Sequence, residues 1–321
     1  MKFDIKAFFI RNWQHFVAIA FFILVAVTFY QPQMDGMRLK QHDTEQWLGM
    51  AHESQEYRKE TGKEPLWTNS MFGGMPAYQI NTISSGNHVK KLEQVARMFI
   101  KPPAGQFIAA MVCFYILMVL LGVSPWLSII GAIAFGFATN NLVLFEAGHE
   151  TKLRTISYLP LIASGMLLAF RKRYLLGGIL FGIGLGMDLA ANHVQMTYYF
   201  FLTVLIWGVA ELINNIKHQT LPHFGKATLA LTVGGLLALG SAASNLWVTY
   251  EYAQDTMRGA PILEQESTTG PASSSEVDGL DWDYAMQWSN NTLDVFSGFI
   301  PGVVGGGSVQ PTTSDSPYGQ T

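Results

Sequence analysis

The run FVAIAFFILVAVTFY, Phe16 to Tyr30, carries no charge, and a polar stretch, LKQHDTEQW, Leu39 to Trp47, begins nine residues after it ends. Counted from Trp13 the apolar run reaches 18 residues, close to the ~20 that cross a hydrocarbon core. Lys2, Lys6 and Arg11 precede it, and it closes in Phe-Tyr-Gln-Pro with no small-x-small cleavage pattern. It therefore reads as a signal anchor rather than a removed signal peptide.

The composition extends that reading to the whole chain. Hydrophobic residues make up 49% and charged residues 13%, and the charges cluster between long apolar runs. This is the pattern of an all-α, polytopic membrane protein. The net charge of -3 says little about partners, because the division of Lys and Arg between membrane faces matters more. The single cysteine, Cys113, excludes an intramolecular disulfide.

Six further apolar runs follow, at about Phe107–Val123, Trp126–Ala138, Ile156–Phe170, Tyr174–Met187, Met196–Ile213 and Ala227–Ala243. Several are short for a span, but charge parity supports about seven transmembrane helices. With the N-terminus cytoplasmic, cytoplasmic segments hold Lys2, Lys6, Arg11, Arg171, Lys172, Arg173, Lys217 and Lys226, whereas the two short outer loops hold only Lys152 and Arg154. Gly178, Gly182 and Gly186 repeat at the four-residue spacing of closely packed membrane helices.

Residues 31–106 form a large first outer loop. Two stretches in it read as helices, one from Asp43 toward Lys63 and one from about His88 to Ile100. The second alternates charged residues with Val89, Leu92, Val95, Met98 and Phe99, which predicts an amphipathic helix lying in the membrane interface. Between them PLWTNSMFGGMPAYQ, Pro65 to Gln79, is either a packed, membrane-resting loop or one that lines a substrate.

The polar motifs all fall on the outer face in this topology. The first loop brings Asp43 and Glu45, a pair able to reach a lipid head group; Asp43 is the candidate base, although Asp before Thr-Glu-Gln is also a good helix N-cap. FEAGHETKLRT, Phe145 to Thr155, brings His149, Lys152 and Arg154, and DLAANHVQMTYY, Asp188 to Tyr199, brings His193 and Gln195. YEYAQDTMRGAP adds Arg258.

These motifs, with WTNSMFGGMP and the downstream SGFIPGVVGGG, resemble the bacterial YfhO-type membrane protein family, whose architecture is similar to the GT-C glycosyltransferases. The resemblance covers essentially the whole chain. It implies a GT-C-like module over 1–247, an extracytoplasmic segment over 248–321 leading into a further C-terminal portion, and residence in the bacterial inner membrane. It also implies an acid in the first loop, here Asp43, acting as base or metal ligand, and a polyprenyl-phosphate sugar as donor to an envelope glycan or lipid acceptor.

The chemistry of inverting glycosyl transfer fits these residues. A carboxylate takes the acceptor proton while negative charge builds on the departing phosphate, so one base and several cations are needed. Lys152, Arg154 and Arg258 are the expected phosphate ligands. His149, His193 and Gln195 complete the donor site, and the histidines with Asp43 and Glu45 can accept a divalent cation. Besides the lipid bilayer, donor and acceptor, no nucleic acid is expected as a partner. The alternatives are a transporter or flippase of lipid-linked material and a non-catalytic envelope scaffold.

Overall fold

A computed structural model describes residues 5–81 and 86–256, with 282–287, 289, 292 and 294–298. The described residues are mostly helical. The only strands among the described residues are Trp67–Thr68 (β1) and Met75–Pro76 (β2), paired antiparallel in the first loop. Packing divides the chain into two compact units, 1–242 and 243–321. The first unit holds the first loop and most of the apolar helices.

The opening apolar run lies in α1, Ile5–Phe29, and a short α2, Gln31–Met34, follows it. Ala18, Phe22, Ala26 and Tyr30 recur every fourth residue, so they share one side of the helix, and all four are buried. They meet Phe107, Ile108, Met111 and Tyr115 of α5, Ala104–Leu120. Ser124 and Pro125 open α6, Pro125–Gly136, with the Ser124 hydroxyl accepting from the Leu127 amide and proline at the first helical position. The run is interrupted at Phe137–Ala138 and resumes as α7, Thr139–Ala147. α8, Glu150–Phe170, and α9, Tyr174–Ala190, are joined by three residues and pack along each other. α10, Val194–Lys217, and α11, Leu221–Ala253, complete the series.

Among the described residues five spans are long and apolar enough to cross a membrane: Phe8–Phe29, Pro125–Ala147, α8, α10 and α11. α5 and α9, at 17 residues each, are apolar but shorter. Leu202, Leu205 and Ile206 of α10 and Leu229, Leu236 and Leu237 of α11 are exposed. Such apolar surface suits contact with hydrocarbon rather than water, so the chain has the makeup of a multi-pass membrane protein. The glycine spacing has a packing cause. A Cβ on Gly178 would sit 2.6 Å from the Ala230 carbonyl oxygen, and one on Gly182 2.9 Å from that of Gly234, because α9 and α11 touch backbone to backbone there.

The two expected first-loop helices are present as α3, His42–Thr61, and α4, Val89–Ala96. α3 stops at Gly62, which takes the left-handed conformation that glycine adopts without strain. α4 presents two distinct faces, as an amphipathic helix does. Leu92, Val95 and Phe99 are exposed, whereas Glu93 is buried and Val89 and Ala96 pack toward Cys113, Tyr158 and Met187. The reason is electrostatic. Arg154 of α8 donates through Nη2 to both Glu93 oxygens at 2.7 Å, and Arg97 adds a contact of 3.1 Å, so the ionic face is drawn inward.

Candidate functional site

The site forms where three helices begin. His42 opens α3 with Asp43 in its first turn, His149 precedes α8, and His193 precedes α10. Each helix start carries the positive end of a macrodipole, which favours an anion.

Asp43 and His149 meet directly. His149 Nε2 lies 2.9 Å from Asp43 Oδ2, with side chains 38% and 46% exposed, so the pair is in contact and still open to a substrate. The alternative reading, in which Asp43 caps α3, does not hold: Gln41 holds the cap position, with no side-chain capping bond, and Asp43 is the second residue of the helix. Its carboxylate is thereby turned to His149 instead of to its own amides.

Gln41 supplies the long-range tie. Its buried side-chain amide donates to the Phe145 carbonyl at the end of α7 and accepts from the Thr44 hydroxyl at 3.0 Å. Gly148 makes the approach possible. It has φ +91°, and a Cβ there would lie 3.0 Å from Asp43 Cβ and 3.2 Å from the Thr44 amide nitrogen. Neither partner is signalled locally, because each contact bridges about a hundred residues of sequence.

His193 completes the cluster. Burial, then the positive charges of Lys152 and His149, holds its imidazole below the ordinary histidine range. Its Nε2 is buried and has no hydrogen-bond partner among the described residues. A neutral ring with an unmet nitrogen can bind a ligand. Asp188, fully buried, accepts from the Thr197 hydroxyl at 2.7 Å and ties the end of α9 to the start of α10.

The other expected residues lie elsewhere or are otherwise engaged. Glu45 faces Lys40 at 4.0 Å, and Gln195 donates to the Tyr199 hydroxyl along the same helix. Arg154 is engaged by Glu93, so a phosphate would have to share its guanidinium or displace that carboxylate. Arg258 lies outside the described residues. No group of three or more His, Cys, Asp or Glu side chains is placed to hold a metal ion among the described residues. Comparison with protein-family models, curated proteins and solved structures finds no match to this chain.

Proposed function

We propose that the protein is a membrane glycosyltransferase of GT-C-like architecture and YfhO-like kind, with seven spans and the first loop on the outer face of a bacterial inner membrane. It would move a sugar from a polyprenyl-phosphate donor to an envelope glycan or lipid. The observation that carries the reading is the 2.9 Å contact between Asp43 and His149, which joins the first-loop acid to the cation-bearing loop of Lys152.

In this reading an acceptor hydroxyl donates to Asp43 while its oxygen attacks the anomeric carbon. The bond from that carbon to the donor phosphate oxygen breaks, the proton passes to Asp43, and the phosphate leaves as an anion. His149 holds the carboxylate in place, while Lys152, the helix starts and the neutral His193 ring meet the phosphate.

The test is Asp43→Asn. Asn keeps the shape but cannot take the proton, so transfer in liposomes should fall roughly a hundred- to ten-thousandfold while donor binding persists. Near wild-type turnover in the purified variant would remove Asp43 from the chemistry.

A further inference from the structure

A cleft of about 440 Å³ opens at the other end of α3, walled by Ser54, Tyr57, Glu64, Pro65 and Trp67. It is separate from Asp43. At 1.5 Å per residue along the helix, Ser54 and Tyr57 stand about 15–20 Å from the candidate base.

Three features of the cleft bear on what it can hold. Tyr57 and Trp67 are large and exposed, so aromatic surface is presented rather than packed away. Ser54 is 1% exposed, lines the cleft, and its hydroxyl has no hydrogen-bond partner among the described residues. Glu64 is held by a two-pronged contact from Arg58, Nε to Oε1 at 2.7 Å and Nη2 to Oε2 at 2.8 Å, which fixes its carboxylate as an acceptor.

The frame around them is rigid. Glu53 accepts from the Thr68 hydroxyl and from the amides of Asn69 and Ser70, fastening the β1–β2 hairpin to α3. The Thr68 hydroxyl, followed by those amides, keeps the Glu53 carboxyl below its ordinary range. The Trp67 indole lies against Gly74, where a Cβ would come within 2.8 Å of the ring. Glycine at that position leaves the room that the ring occupies.

We propose that this cleft is a saccharide subsite. A pyranose presents a face of C–H groups, which match the negative face of an aromatic ring, and an edge of hydroxyls, which match a carboxylate acceptor and an unmet serine hydroxyl. Sites of this kind combine an apolar wall with a few fixed polar groups. Calling the saccharide part of the acceptor rests on the function proposed above; its binding does not. Given the separation from Asp43, one sugar ring cannot touch both places, so the acceptor is an oligosaccharide that runs along α3.

The experiment measures equilibrium binding of glucose, N-acetylglucosamine, cellotriose and chitotriose to the full chain in detergent. At least one trisaccharide should bind more tightly than its monosaccharide. Trp67→Ala and Tyr57→Ala should each weaken it about tenfold, with Trp67→Phe milder. Gly74→Ala, which displaces the indole, should weaken it too, while Phe72→Ala, on the exposed hairpin tip, should have no effect. Asp43→Asn should bind the trisaccharide normally even where it transfers no sugar, so the subsite and the catalytic reading fail separately. No binding by any of the four sugars, or equal binding by wild type and a folded Trp67→Ala, would overturn the proposal.

Discussion

Glu93→Gln tests whether the first loop is locked onto the helical bundle by charge. Glu93 has a side chain only 4% exposed and serves two cations, Arg154 at 2.7 Å and Arg97 at 3.1 Å. Gln keeps the shape and removes the charge, leaving two guanidinium groups facing a neutral amide. Removing one partner of a buried ion pair costs about 3–5 kcal/mol, because the remaining charge is uncompensated. Arg154→Met should cost less, about 1.5–3 kcal/mol, since Glu93 still has Arg97. The double variant Glu93→Gln, Arg154→Met should regain part of the loss by leaving one cation instead of two. Equilibrium unfolding in mixed detergent micelles, followed by tryptophan fluorescence, would rank the three. A Glu93→Gln variant within about 1 kcal/mol of wild type would show that the network is hydrated and does not hold α4 in place.

Three other outcomes are expected. Gly148→Ala must adopt φ +91° and push against Asp43; it should cost about 1–2 kcal/mol from the left-handed backbone alone and lower the transfer rate by more than its melting shift explains, whereas unchanged kinetics would separate this corner from the site. For His193, the folded value lies below the unfolded one of about 6.5, so between them the unfolded chain holds the extra proton. Stability is then full above about pH 6.5 and declines as pH falls toward the folded value; His193→Gln should flatten that decline in unfolding midpoints, and an identical pH profile in the variant would count against a buried neutral ring. Reporter fusions after Arg173 should appear cytoplasmic and those at Gly148 and Asn192 outside, and opposite faces for Gly148 and Asp43 would contradict their contact.

The helical, membrane-spanning character of the chain was legible in the sequence because hydropathy is a local property. A run such as Phe16–Tyr30 has to form a helix to satisfy its backbone in lipid, whatever the rest of the chain does. The spacing of Gly178 and Gly182 likewise announced a close approach, though not that its partners were Ala230 and Gly234. The polar loops also read as the place to look for a site, since acids, imidazoles and cations recur there beside apolar runs.

Which of those residues meet was decided only by the tertiary structure. Asp43 and Glu45 read as one acidic pair in the sequence, with Asp43 the candidate base, yet one meets His149 and the other Lys40, because side chains two apart on a helix do not face the same neighbour. Arg154 reads as a free cation until α4 turns Glu93 inward, a pairing that no local pattern announces. Gln41 carries no local signature and Gly148 reads locally only as the glycine that ends α7, because their further roles exist only once α3 rests against the corner between α7 and α8. Periodicity reports one element at a time, whereas a contact across a hundred residues depends on how the elements close on each other.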